Sequence, residues 1–259
     1  MRHLVLFSIV VLIWGSTFLA IKFQLGAVDP MVSVMARFAL ASALLLGFCR
    51  FRGLNLSFTL KEHRSMAQLG ALLFSLNYWL VYTAETHLTS GLVAVVFSAI
   101  VFMNIANSAF FLNTPLDPRL AAGALTGSLG IGLIFLPEIR GFDLSDSGFT
   151  GLVVALSAAF LASLGNITSA RNTRNRIPVI QANAFGMAYG AGLLFVMAVV
   201  TGKDFSLPLT PGFLGSLIYL ALFGSVIAFW AYLTLIGSIG ADRAAYAILV
   251  VPVVALALS

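Results

Sequence analysis

The chain has 259 residues, of which 60% are hydrophobic and only 9% charged, and its mean hydropathy is +1.04. A soluble globular domain, with about a quarter of its residues charged, is excluded. A single cysteine, Cys49, excludes an intrachain disulfide and any Cys-based zinc or iron–sulfur centre, and the net charge of +5 needs a topological rather than a nucleic-acid explanation, as shown below.

Nine apolar segments follow in chain order: Leu4 to Gln24, Met31 to Cys49, Met66 to Ala84, Leu88 to Leu112, Leu120 to Leu136, Gly148 to Ala170, Val179 to Val200, Phe213 to Ile236 and Ala244 to Ser259. Runs of about 20 residues at 1.5 Å each cross a hydrocarbon core of about 30 Å, so the pattern predicts an all-α polytopic membrane protein. The short polar–apolar alternation of an outer-membrane barrel is missing from stretches such as Leu92 to Met103. Pro30, Pro118, Pro178 and Pro211 stand where helices should begin, and Asp29, Asp117 and Thr210 are placed to cap three of them. Pro252 alone lies inside an apolar run, where it removes the bond to the Ile248 carbonyl and predicts a kink or gating point.

Nine alternating crossings sort the basic residues onto two faces. Arg2, Arg50, Arg52, Lys61, Arg64, Arg119, Arg171, Arg174, Arg176 and Arg243 share one, against Arg140 and Lys203 on the other. This bias predicts a multi-pass membrane protein with a cytoplasmic amino terminus. Cations divided among short loops beside a bilayer do not make a nucleic-acid surface. Met1 to Ile13 has the outline of a signal peptide, but no small-x-small site follows and the run continues to Gln24, so it reads as a retained first helix.

The halves resemble one another. Tyr78, Trp79 and Thr83 match Phe229, Trp230 and Thr234 at an offset of 151 residues. Five helices per unit, an odd number, would make the repeat inverted. The domain reading is a first unit over 1–137, a polar linker over 138–147 and a second, incomplete unit over 148–259. A tenth helix is expected to be missing, and a chain cut short is the favoured explanation.

Trp14-Gly15-Ser16-Thr17-Phe18 with Ala20-Ile21-Lys22, Arg37-Phe38 with Leu40-Ala41, and Gly240-Ala241 through Ala244-Ala245 to Pro252-Val253 together resemble the EamA-type members of the drug/metabolite transporter superfamily. Members of that family usually carry a proline in the fourth helix, where this sequence has only the region around Ile100. The resemblance implies two inverted five-helix units and export of small metabolites such as amino acids by alternating access, with no cofactor and no enzymatic step. A lipid-processing membrane enzyme and a non-transporting fragment are the alternatives. The expected partners are a small-molecule substrate and the bilayer, with a homodimer left open.

Candidate substrate-binding residues are Trp14, Tyr78, Trp79, Tyr82, Asn104, Asn166, Trp230 and Tyr246. Tyr78, Tyr82 and Glu85 fall at i, i+4 and i+7 on one helical face and read either as an aromatic pathway with an acidic mouth or as an interfacial aromatic belt. Trp79 and Trp230 read as cavity wall because the repeat superposes them. Asn104, Asn107 and Asn166 read as interhelical glue or as polar lining. Lys22, Arg37 and Glu85 form a charged vestibule, in which the two cations either snorkel, clamp Asp29 or Glu85, or attract an anion. His3, His63 and His87 are too scattered to predict a metal site. On sequence alone, Trp230→Ala and Tyr82→Ala should both abolish efflux.

Overall fold

The computed structural model describes the chain except for positions 22, 25, 27, 144, 145 and 259 and the side chains of Phe18, Asp146 and Leu258. Its elements are helical throughout the described residues: α1 (Arg2–Ile21), α2 (Pro30–Phe51), α3 (Leu60–Leu69), a π-helical stretch (Gly70–Leu76), α4 (Asn77–Ala84), α5 (Ser90–Phe97), α6 (Ile100–Leu112), α7 (Pro118–Ile134), α8 (Leu136–Arg140), α9 (Asp146–Arg174), α10 (Val179–Val200), α11 (Pro211–Tyr219), a second π-helical stretch (Leu220–Ile227), α12 (Ala228–Ile239), α13 (Ala241–Ala244) and α14 (Tyr246–Leu258). Among them six helices are long and apolar enough to cross a bilayer, namely Arg2–Ile21, Pro30–Phe51, Ser90–Leu112, Ser147–Arg174, Val179–Val200 and Pro211–Ile239, and Pro118–Ile134 is a shorter apolar helix. Large side chains such as Leu129, Leu133, Val196 and Val200 are exposed on the outside of the bundle. A protein in water rarely leaves such surface uncovered. The molecule is a polytopic helical membrane protein.

Local chemistry sets the helix starts. The Asp29 carboxylate accepts from the Met31 amide at 2.9 Å, Asp117 accepts from Arg119 at 2.9 Å, and the Thr210 hydroxyl accepts from Phe213 at 3.4 Å, each just before a proline. All three caps satisfy donors that a helix end leaves free. Asp29 also pairs with Lys203 at 2.8 Å, tying the segment before α2 to the one after α10.

Two apolar runs that read as single helices from sequence depart from α geometry at their middles. The third passes from α3 through a π-helical turn into α4, and the eighth does the same between α11 and α12. In each, a serine five residues in turns back on the backbone. The Ser75 hydroxyl donates to the Gly70 carbonyl at 3.2 Å and to Ala71 at 2.8 Å, and Ser225 donates to Leu220 at 3.0 Å. A hydroxyl competing for backbone acceptors loosens the α ladder, and π turns of this kind concentrate at functional sites. The fourth run breaks at Ser98 and Ala99, between α5 and α6, where the Ser98 hydroxyl donates to Val95 at 2.6 Å. That break stands beside Ile100 and needs no proline.

Helix α2 packs along α10 at the middle of the bundle, and the other contacts exchange between the halves. Helix α1 lies against α12 and α14 as α9 lies against α4 and α6, while α2 meets the second π stretch as α10 meets the first. Glycine permits the closest of these approaches. A Cβ at Gly70 would stand 2.2 Å from the Gly186 carbonyl oxygen and 2.9 Å from the Gly190 nitrogen, so the two backbones touch directly. Where α1, α2, α4 and α12 converge, six rings interlock. Phe229 lies 5.1 Å from Trp14 and 4.9 Å from Phe74, Phe38 lies 5.4 Å from Phe74 and 5.0 Å from Tyr78, and Trp14 lies 4.9 Å from Tyr232, all in the tilted or edge-on arrangements that aromatic quadrupoles favour.

Candidate functional site: a charged, aromatic-lined cavity

A cavity of about 150 Å³ opens among these rings. Its wall draws on α1 (Trp14, Thr17, Ile21), α2 (Arg37), the third run (Leu73, Asn77, Tyr78, Val81, Tyr82, with Glu85 just beyond), α5 and α6 (Val93, Ala94, Phe97, Ile100), α9 (Ala162, Asn166), α12 (Phe229, Tyr232) and α14 (Ile248, Val251, Pro252). It runs from the middle of the bundle toward the end where α1 and α4 finish and α2 and α5 start. A space of this order accepts a benzene-sized body.

Several residues hold the wall in place. The Trp14 indole donates from Nε1 to the Gly224 carbonyl at 3.1 Å, an acceptor within the second π stretch. Ser16 shares a hydrogen bond with the Tyr219 hydroxyl at 2.6 Å, and Thr17 donates to the Trp14 carbonyl at 2.7 Å. The Trp14-Gly15-Ser16-Thr17 passage thus docks α1 onto α11 and the second π stretch. Beneath the cavity, the Asn166 Nδ2 donates to the Tyr232 hydroxyl at 3.1 Å and to Asn104 Oδ1 at 3.5 Å, while the Asn104 Nδ2 donates to the Ala241 carbonyl at 3.2 Å. This fully buried network joins α6, α9, α12 and α13 into a floor.

Arg37 is the electrostatic centre. It is 1% exposed, its Nε donates to the Ser225 hydroxyl at 2.9 Å, and its guanidinium lies 5.0 Å from the Tyr78 ring centroid and 5.4 Å from that of Phe38. Both ring contacts lie within cation–π range. Neither Asp29 nor Glu85 clamps it, contrary to one sequence expectation, because Asp29 is engaged by Lys203 and the only ion pair among the described residues is that one. Snorkelling is also excluded by its burial. Glu85 sits half-buried at the mouth, one residue past α4, and burial pushes its carboxyl up to about 7.

Of the sequence candidates, Trp14, Tyr78, Tyr82, Asn166, Arg37, Glu85 and Pro252 meet at this cavity, and Asn104 lies one hydrogen bond below it. Trp79 and Trp230 do not belong to the wall. Their neighbours Tyr78 and Phe229 face the cavity, and one residue further along a helix is a turn of about 100°, so the indoles point elsewhere, Trp230 being 36% exposed. Tyr246 is also off the wall, its hydroxyl donating to the Leu120 carbonyl to join α14 to α7. Asn107 donates to the Ser163 hydroxyl at 2.8 Å as interhelical glue. Lys22 lies outside the described residues. Sequence reasoning missed Ser225, Asn77, Phe229 and Tyr232; the equivalent placement of Ser75 and Ser225 was the one available signal.

Comparison with known proteins bears on this geometry. The EamA-like transporter family model matches the chain twice, over residues 1–136 and 149–259. The chain belongs to the EamA-like transporter family. It is similar to the inner membrane transporter YedA of Escherichia coli strain K12, 30% identical over 250 residues that make up 95% of this chain and 78% of that protein. It is also similar to a probable amino-acid metabolite efflux pump of the same strain, 26% identical over 281 residues, covering 98% of this chain and 84% of the pump. A solved crystal structure shares the fold with a TM-score of 0.80 at 20% identity, covering 98% of this chain and 85% of the other. The chain is a multi-pass membrane transporter of this family, and family and relatives point to transport rather than enzymatic chemistry.

Proposed function

We propose that this EamA-family protein exports small metabolites, amino acids or close relatives of them, across the inner membrane by alternating access. The observation that carries the reading is the cavity at the convergence of both halves, walled by aromatic rings and holding a buried guanidinium. Residues 1–137 and 148–259 act as two inverted units that rock about the α2–α10 contact, a reading supported by the exchanged packing pairs and by π stretches at matching places in each half. With the amino terminus in the cytoplasm, the mouth beside Glu85 faces outward and the Asn104–Asn166–Tyr232 floor is the closed inner gate. Trp14, Tyr78, Tyr82 and Asn166 contact the solute directly, and Pro252 gives α14 the flexibility the gate requires. The names of the relatives, one of them a probable amino-acid metabolite efflux pump, support the solute class.

Flux of labelled amino acids in proteoliposomes tests the proposal. Tyr82→Ala, in the wall, should lower flux at least tenfold with insertion and folding intact. Trp230→Ala, off the wall, should leave it within about twofold of the parent. Absence of flux in the parent protein for every amino acid tried would remove the transport reading.

A further inference from the structure

We propose that Arg37 is the anchor for a carboxylate carried by a small solute with an apolar or aromatic body, and that the Tyr82 hydroxyl is its second donor. The assignment rests on the transport reading only in taking the cavity to be the solute site.

The argument begins with what Arg37 lacks. A guanidinium presents five N–H donors in a rigid fork and stays charged in any protein environment. Here it is 1% exposed, yet no carboxylate among the described residues lies within ion-pair distance of it. Ser225 occupies Nε, the Phe38 and Tyr78 rings lie against the guanidinium, and Nη1 has no hydrogen-bond partner. Buried cations are normally paired, and a buried donor without an acceptor is one of the rarer features of a folded protein. The Tyr82 hydroxyl is likewise buried without a hydrogen-bond partner. Both residues belong to the cavity wall. Two unanswered donors on residues of one cavity wall, one of them cationic, are groups that the two oxygens of a carboxylate would answer, and the arginine fork is the best side-chain partner for it.

The remaining wall fixes the rest of the solute. Trp14, Phe97, Ile100, Phe229 and Val251 offer apolar and aromatic surface, and Thr17, Asn77, Asn166 and, at the mouth, Glu85 are the polar exceptions. A polyol or sugar would leave most of its hydroxyls unanswered, and a cation would meet Arg37. The volume suits one ring or one branched chain.

The test is ligand-induced change in melting temperature of the purified full chain, using phenylalanine, 3-phenylpropionate and phenylalaninamide. The two carboxylates should raise the melting temperature at concentrations at least tenfold below any at which the amide acts. Arg37→Gln should erase that preference, Arg37→Lys should restore part of it, and Tyr82→Phe should weaken the carboxylates several-fold without touching the amide. If Arg37→Gln does not fold, the parent comparison and Tyr82→Phe still decide. Equal stabilisation by acid and amide, no stabilisation by either acid, or an intact preference in Arg37→Gln overturns the anchor. Parallel flux assays separate the two readings. Carboxylate-selective binding without flux sinks transport and leaves the anchor standing, whereas flux indifferent to the carboxylate does the reverse.

Discussion

The contact between the third run and α10 sets up a prediction of opposite signs for two glycines. Replacing Gly70 with alanine would put a methyl group 2.2 Å from the Gly186 carbonyl oxygen, where ordinary contact begins near 3.4 Å. The obstacle is backbone on both sides, so no rotamer change relieves it, and the helices must separate by roughly 1 Å over a contact that depends on close approach. Overpacking of this kind costs about 1–3 kcal/mol. Against it stands a gain of up to about 1 kcal/mol from replacing glycine in a helix. Gly192, on α10 itself, has nothing within 4 Å of its would-be Cβ, so Gly192→Ala collects the gain alone. The helix gain is common to both, so the two variants should differ by the overpacking cost of about 1–3 kcal/mol, with Gly70→Ala below the parent and Gly192→Ala at or above it. Thermal unfolding of the detergent-purified proteins, followed by intrinsic fluorescence, reads the difference. Equal melting temperatures, or a Gly70→Ala protein as stable as the parent, would refute the direct backbone contact.

Two further outcomes follow from the mouth and the floor. Because burial raises the Glu85 carboxyl to about 7, the folded protein holds its proton more tightly than the unfolded chain, so the stability this group contributes is complete below about 4.5 and lost as pH rises to 7. Glu85→Gln should therefore melt with the parent near pH 5 and above it at pH 8, and monocarboxylate flux in the variant should lose the decline that the parent shows over pH 6–8; identical pH profiles would remove Glu85 from the mouth. Tyr232→Phe takes one acceptor from Asn166 and should cost no more than about 2 kcal/mol in melting experiments, interhelical bonds in membranes averaging about 0.6, while raising passive leak of solute through the loosened floor; an unchanged leak would show that the network does not seal it.

Of the nine expected spans, six and a shorter apolar helix were legible because hydropathy and length decide membrane crossing almost alone, and the caps at Asp29, Asp117 and Thr210 because proline marks the next residue. The Tyr78–Tyr82–Glu85 stripe was legible for the same reason, helical periodicity being a local property. What could not be read was tertiary. The sequence match pairs Trp79 with Trp230 but says nothing of the face they occupy, and the cavity belongs to their neighbours. For Arg37 the sequence offers snorkelling, a clamp to Asp29 or Glu85, or an anion site, whereas its hydrogen-bond partner is a serine hydroxyl 188 residues away. That hydroxyl is presented by a π turn which nothing but a serine in an apolar run announces.

The central claim, a single cavity reached in turn from both sides of the membrane, is tested most directly at Ala162, a buried wall residue midway along α9. In a Cys49→Ser background, Ala162→Cys should react with a membrane-impermeant thiol reagent in right-side-out and in inside-out vesicles alike, and transported solute should protect it in both. Reaction from one side only, or from neither, would contradict alternating access.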